Sequence, residues 1–255
     1  MIAETINGRT VRTTYDGDMV TARVTPSGRT SGWSFDTAGR PVMLSIAGHT
    51  IRFDVDAAGR EVHRSTDGVN VLRQDFDRAG RLATQHIAGG AARGFAWDAT
   101  GRITAITDSL TGERTFAADD SGRIHAVHSD GRLLERYEYD ETGRLSGRGD
   151  DRWDFDGTML VWSGDARFEY DEKGRLTARF DAQGTWRFAW DAEGHLVQVV
   201  TPVGERWRYR YDGFGRRIVK HRLAGDDTIL EEVLFAWSGD LMIEETSAGR
   251  TVTWE

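Results

Sequence analysis

The chain has 255 residues and carries 33 Lys+Arg against 41 Asp+Glu, a formal net charge of −8 in which basic and acidic residues interleave throughout. That interleaving excludes the clustered cationic surface that releases counterions from a polyanion, so no nucleic-acid partner is expected. The absence of cysteine excludes disulfides, thiolate zinc sites and cysteine nucleophiles, and 30 glycines against 3 prolines make glycine the punctuation of the chain.

The start, Met1-Ile2-Ala3-Glu4-Thr5-Ile6, has neither a basic n-region nor an apolar h-region. No later stretch approaches the roughly 20 apolar residues of a membrane helix. Neither an export signal nor a membrane span is expected. From Asp16 onward a motif recurs at near-constant spacing. Its aspartates are Asp16, Asp36, Asp56, Asp77, Asp98, Asp119, Asp140, Asp156, Asp171, Asp191 and Asp212, with steps of 20, 20, 21, 21, 21, 21, 16, 15, 20 and 21 residues. The clearest copies are Phe95-Ala96-Trp97-Asp98-Ala99-Thr100-Gly101-Arg102-Ile103, Tyr137-Glu138-Tyr139-Asp140-Glu141-Thr142-Gly143-Arg144-Leu145 and Phe168-Glu169-Tyr170-Asp171-Glu172-Lys173-Gly174-Arg175-Leu176.

Alternation puts the two aromatics of each copy on one face of a strand, a position that Tyr, Phe and Trp favour. Asp then opens a turn by accepting backbone N–H bonds, and Gly three residues on suits the left-handed backbone of a hairpin loop. Arg and an aliphatic residue begin the return strand, and a second turn follows at Gly48, Gly68, Gly112, Gly131, Gly184 and Gly204. The two short steps surround Trp153-Asp154-Phe155-Asp156-Gly157, where the turn is expected to shrink to a two-residue Asp-Gly hairpin. Each unit is thus two strands of about five residues and two tight turns.

Eleven units give about 22 strands, which at ~4.8 Å per strand would make a sheet roughly 105 Å wide. A sheet of that width is expected to curl rather than stay flat. The fold class is therefore all-β: tandem two-stranded repeats forming a large curled antiparallel sheet, an open or partial hollow shell or β-spiral. Residues 1–221 are read as the repeat array and 222–255 as a divergent β-hairpin tail. The tail comprises Ile229 to Trp237, a Ser238-Gly239 turn, Leu241 to Glu245, and a last strand from Thr251 to Glu255. A strand edge left bare there invites pairing with another chain.

The Tyr-x-Tyr-Asp-x-x-Gly-Arg-Leu unit, repeated over residues 14–220, resembles the RHS/YD-repeat family. The resemblance implies the shell repeats of bacterial RHS polymorphic toxins, of toxin-complex C components and of teneurins, in which repeats wind into a hollow β-sheet shell. Bacterial members enclose a toxic C-terminal segment. The self-cleaving core with its Asp-Pro-x-Gly-Leu-like motif has no counterpart here, since no Asp-Pro occurs, and self-cleavage and toxicity are not carried over.

The residues singled out are structural turn residues: Asp36 with Gly39, Asp56 with Gly59, Asp77 with Gly80, Asp98 with Gly101, Asp119 with Gly122, Asp140 with Gly143, Asp171 with Gly174, Asp191 with Gly194, and Asp212 with Gly215. Calcium binding is disfavoured because Ala58 and Ala79 stand where further ligands would be needed. His125 and His128, three apart on a strand, point to opposite faces. Arg148-Gly149-Asp150 reads as a turn. The Arg after each Gly is expected to pair with a neighbouring repeat's Asp or to stack on an aromatic. No catalytic, cofactor or metal residue is assigned.

The function expected is a non-catalytic shell segment that encloses or screens a toxin or other polypeptide. Its partners would be the remainder of a shell, or another copy, through exposed strand edges, together with an enclosed toxin polypeptide. The alternative is a cell-surface adhesion or glycan-binding module resting on Trp97, Tyr139, Tyr170, Trp190 and Tyr211. An outer-membrane barrel is set aside, because strands near five residues fall short of the ~9–11 needed to span. Localisation is left open between a bacterial cytoplasm before specialised export and the cell surface.

Overall fold

The structure is a computed structural model and describes residues 1–254. Glu255, assigned above to the last strand, lies outside the described residues. Every regular element among the described residues is a β-strand. In chain order these are β1 (Ile2–Ile6), β2 (Arg9–Asp16), β3 (Met19–Val24), β4 (Thr30–Phe35), β5 (Pro41–Ile46), β6 (His49–Val55), β7 (Glu61–Thr66), β8 (Val69–Phe76) and β9 (Leu82–Ile87). They continue as β10 (Ala91–Trp97), β11 (Ile103–Asp108), β12 (Gly112–Ala118), β13 (Ile124–Ser129), β14 (Arg132–Tyr139), β15 (Leu145–Arg148), β16 (Asp151–Asp156), β17 (Met159–Ser163) and β18 (Ala166–Tyr170). The last are β19 (Leu176–Asp181), β20 (Gly184–Trp190), β21 (Leu196–Val200), β22 (Arg206–Tyr211), β23 (Arg217–Leu223), β24 (Ile229–Ser238), β25 (Leu241–Ser247) and β26 (Arg250–Thr253).

The eleven predicted units correspond to β2–β23. β24, β25 and β26 lie in the segment read above as the tail, and β1 is the strand not anticipated, which brings the total among described residues to 26. Consecutive strands pair antiparallel, as in β10 with β11, where Phe95 opposes Ile106. The fold is an all-β antiparallel meander.

Two compact units divide the chain: residues 1–32 with 153–255, and residues 33–152. In the second unit the hydrophobic residues that become fully buried are Leu44, Ala126 and Val127, and the alternating rings and aliphatics stay half-buried. Its cohesion therefore comes from the strand ladder and from side-chain pairs across strands, each worth roughly 0.2–1 kcal/mol. The first unit adds a second layer. There β2 packs on β24, and Val11, Ala236 and Ile243 form a buried cluster, each at most 5% exposed.

The two ends of each hairpin use different turn chemistry. At one end Ala47-Gly48, Asp67-Gly68 and Asp130-Gly131 hold positive φ at both residues (52° and 85°, 50° and 80°, 49° and 78°). That is the type I′ geometry whose twist matches the flanking strands. Gly17-Asp18, Gly149-Asp150, Gly157-Thr158 and Gly164-Asp165 carry positive φ at the glycine alone, the type II′ pattern. The turn after β16 is thus Gly157-Thr158, between the paired residues Asp156 and Met159, one residue later than the expected Asp-Gly hairpin. The Asp16 turn is built the same way, with Asp16 opposite Met19. Both aspartates end strands and do not open loops, because Gly at the first turn position leaves no role for an Asx side chain.

Candidate functional site

At the other end of the hairpins one five-residue loop recurs. Asp36 N–H donates to the Arg40 carbonyl at 2.9 Å and Gly39 N–H to the Asp36 carbonyl at 3.0 Å. Asp36 Oδ1 accepts the N–H groups of Ala38 (2.9 Å) and Arg40 (3.0 Å), and Oδ2 accepts Arg40 Nε at 2.7 Å. The same set closes the loops at Asp56, Asp77 and Asp98. It recurs at Asp119, Asp140, Asp171 and Asp212. At Asp191 the arginine is replaced by His195, whose N–H (2.8 Å) and Nδ1 (3.0 Å) meet the carboxylate. The glycines of these nine loops have φ between +74° and +91°, a region that costs glycine nothing.

These hydrogen bonds favour the ionised carboxylate and hold the loop aspartates below the usual carboxylate range. At Asp36 the Arg40 backbone N–H is the leading cause, followed by its guanidinium. At Asp140 the Thr142 hydroxyl leads and the value falls to about 2. Each loop arginine pairs with the aspartate of its own repeat, at 2.7 Å for Arg175 Nη2 and Asp171. The expectation of a neighbouring repeat's Asp is thus corrected. The four-residue spacing across a closed loop brings the pair together before any other repeat can compete.

What the arginine reaches in the next repeat is the ring and the backbone. Arg60 lies 4.4 Å from the Phe76 centroid, Arg81 5.7 Å from Trp97 and Arg123 4.8 Å from Tyr139, while His195 stacks on Tyr211 at 4.7 Å. Arg81 Nη1 also donates to the Asp98 carbonyl (2.9 Å) and Arg175 Nη1 to the Asp191 carbonyl (2.7 Å). The ring that receives the arginine points its polar tip back. Trp97 Nε1 donates to the Leu82 carbonyl (2.8 Å), Tyr139 Oη to Ile124 (2.8 Å), Trp190 Nε1 to Leu176 (2.7 Å) and Tyr211 Oη to Leu196 (2.8 Å). A register shift just before each ring, as between Ala96 and Trp97, re-aims it toward the preceding hairpin. Where a ring precedes the aspartate, carboxylate, guanidinium, ring and carbonyl thus tie one repeat to the next.

Three loops of this shape lack the leading aspartate; in one, Ala224-Gly225-Asp226-Asp227-Thr228, Ala224 N–H donates to the Thr228 carbonyl at 2.8 Å. Thr25-Pro26-Ser27-Gly28-Arg29 and Thr201-Pro202-Val203-Gly204-Glu205 close with Thr25 N–H to Arg29 O and Thr201 N–H to Glu205 O, both 2.9 Å, the hydroxyl replacing the carboxylate. Thr-Pro-x-Gly carries a turn signal of its own, and the turn expected at Gly204 is the Thr201 loop.

The first unit contains a clasp that the sequence reading missed. Glu244 on β25 is 0% exposed. It pairs with Arg9 on β2, accepts the Ser27 hydroxyl at 2.6 Å and takes the Ser27 N–H at 3.3 Å. Arg9 also donates to Thr246 Oγ1 at 3.0 Å. Nearby, Arg216 bridges Asp212 and Glu4, both at 2.7 Å, and donates to the Gly239 carbonyl at 2.6 Å. The tail is therefore covered by β1, β2 and the Ser27 loop, although the outer edges of β1 and β26 pair with no strand among the described residues.

The remaining candidates separate. His125 is exposed beside buried Ala126, while His128 is half-buried on the opposite face. Gly149-Asp150 forms a turn to which Arg136 Nη2 is bonded through the Gly149 carbonyl at 2.9 Å. Asp191, Glu193 and His195 bring one ligand atom each within 4.8 Å of one another, the one grouping of this kind among the described residues. Its Asp and His already serve the loop. Trp97 and Trp190, the candidate sugar platforms, are half-buried with their indole N–H groups engaged by backbone.

These features define a class: an all-β tandem array of Tyr-Asp hairpin repeats whose polar groups fasten one repeat to the next. The family profile of the Teneurin YD-shell matches residues 71–229, more than half of the chain. The chain belongs to that family. It is also 46% identical over 59 residues to two proteins of Dickeya dadantii (strain 3937), named probable deoxyribonuclease RhsA and probable deoxyribonuclease RhsB. That stretch is 23% of this chain and 4% of either relative. Among solved structures, the TcdB2-TccC3-Cdc42 crystal structure is similar at TM-score 0.62 and 14% identity, covering 98% of this chain and 16% of that one. The TcdB2-TccC3 structure is similar at TM-score 0.56 and 14% identity, covering 86% and 15%. At these identities the likeness is one of fold, and the chain spans a small fraction of each relative's length.

Proposed function

We propose that the chain is a wall segment of an RHS-type shell that screens an enclosed polypeptide, a toxin in the bacterial case, and that it performs no catalysis of its own. The observation that carries this reading is the relay between repeats. The recurring Asp, Arg and ring groups, which in another setting could do chemistry, are engaged in holding hairpin to hairpin. A continuous ladder with its side chains so engaged is suited to separating two spaces. The deoxyribonuclease named in the Dickeya relatives is a property of those proteins, which the chain matches over 4% of their length. On this proposal the loop residues, Asp36 with Gly39 through Asp212 with Gly215, act as structural pins.

The test is protease protection. With the full-length protein that contains this segment, the polypeptide screened by the shell is expected to survive an amount of protease that digests the same polypeptide expressed alone. Equal digestion in the two settings would overturn the proposal.

A further inference from the structure

The ring relay is interrupted twice: Val55 fills the ring position before Asp56 with an aliphatic side chain, and one position is left open. In the repeat Phe116-Ala117-Ala118-Asp119 the position that holds Trp97, Tyr139, Tyr170, Trp190 or Tyr211 elsewhere is occupied by Ala118, which is exposed. The elements that would receive a ring are nevertheless in place. Arg102, which should lie over it, bonds Asp98 (3.1 Å) and Thr100 Oγ1 (2.9 Å) through Nε and covers no ring. Its side chain is 45% exposed, against 30% for Arg81 and 35% for Arg123, which have rings beneath them. The Ile103 carbonyl, equivalent to the Leu82 and Ile124 carbonyls that accept Trp97 and Tyr139, receives no side-chain donor among the described residues.

The space left is a cleft of about 550 Å³ lined by Arg102, Ile103, Ile106, Phe116, Ala118 and Ile124 among others. A second cleft of about 550 Å³, reaching Val127, Tyr137, Tyr139 and Leu145, shares Phe116 and Ile124 with it. Both lie within the second unit.

We propose that the gap at Ala118 is a receptor for the indole or phenol of a Trp or Tyr side chain carried on an extended polypeptide. The ring would lie against the Arg102 guanidinium and donate its N–H or O–H to the Ile103 carbonyl. This reproduces what Trp97 does beneath Arg81 and against Leu82. A polypeptide is the occupant because the adjoining cleft takes flanking apolar residues, which a free aromatic molecule lacks. Guanidinium stacking and a satisfied carbonyl select for an aromatic ring with a donor over an aliphatic side chain. The inference rests on the screening role only for the source of the polypeptide.

The test uses this chain and a capped pentapeptide, Leu-Ser-Trp-Ser-Leu, beside its Ala-centred counterpart, followed by saturation-transfer NMR and titration of backbone amides. The Trp peptide is expected to bind roughly tenfold more tightly than the Ala peptide and to shift the amides of Ile103, Ala118 and Ile124. Ala118→Trp, which supplies the missing ring in cis, is expected to abolish binding and raise the melting temperature. Ala118→Leu serves if that variant does not fold and is expected to abolish binding likewise. Arg102→Gln is expected to weaken the Trp peptide roughly tenfold with the Ala peptide unchanged. Equal binding of the two peptides, no binding of either, or full binding by a folded gap-filled variant would overturn the inference. None of these results bears on protease protection by the full-length protein, so the two proposals fail separately.

Discussion

Replacing Glu244 by Ala severs the clasp between the first hairpin and the tail. Glu244 is 0% exposed, and the Arg9 side chain it neutralises is 16% exposed, so the deletion strands a guanidinium in a nearly water-free setting. Removing one partner of a buried pair costs about 3–5 kcal/mol. Arg9 keeps its bond to Thr246 Oγ1 at 3.0 Å and some contact with solvent, which places the expected loss at the lower end, about 3 kcal/mol. For a chain of this size that corresponds to a fall in melting temperature of roughly 6–12 °C. The location of the effect is as diagnostic as its size. Hydrogen exchange should accelerate in β1–β3 and β24–β25 while the amides of residues 33–152 keep their protection. A double-mutant cycle of Arg9→Ala and Glu244→Ala should return a coupling of at least about 1 kcal/mol. A shift under roughly 2 °C, or exchange rising evenly through both units, would refute the clasp as the holder of the first hairpin.

Three further outcomes follow from the relay. Trp97→Phe keeps the ring beneath Arg81 but loses the bond to the Leu82 carbonyl, so it should cost about 1 kcal/mol by urea unfolding, against roughly 3–5 kcal/mol for Trp97→Ala. Gly80→Ala forces a left-handed alanine at φ +80° and sets its Cβ 3.0 Å from Arg60 Nη1, and should lower stability by about 1–2 kcal/mol. The loop aspartates titrate lower when folded than when unfolded, so their contribution is complete above the ordinary carboxylate value near ~4 and is lost as pH falls through the folded values. With Asp140 at about 2, circular dichroism followed downward from pH ~5 should show the fold weakening below pH ~4, and Asp140→Asn should make that decline shallower.

The repeat was readable because its determinants are local. Asp, Gly and Arg within five residues close a loop by themselves, and two rings spaced by one residue identify a strand without knowledge of its neighbours. What failed to show was either masked by a substitution of equivalent chemistry or distant in sequence. Thr25 and Thr201 close the same loop with a hydroxyl. Asp16 and Asp156 carry the motif's letter while sitting at strand ends, because a glycine follows at once and takes the first turn position. Sequence spacing alone does not say that Oδ2 of the arginine's own Asp is its partner, as at Arg40, whose Nε lies 2.7 Å from Asp36. Arg9 and Glu244 are 235 residues apart, and no periodicity announces that one will neutralise the other. The gap at Ala118 is visible as a letter, but becomes a site only when Arg102 and the Ile103 carbonyl are seen to stand ready around it.

The most direct test of the proposed screening role uses the absence of native cysteine, which allows single cysteines to be placed on opposite faces of one sheet. Ala96 lies between the rings Phe95 and Trp97 and faces away from them, whereas Ala118 occupies a ring position, and both are exposed. In this chain Ala96→Cys and Ala118→Cys should react with a bulky maleimide at comparable rates. In the full-length protein one of the two should slow by at least roughly tenfold while the other holds its rate, as a wall with an enclosed side requires. Reaction of both at the rates seen in this chain would contradict the proposal.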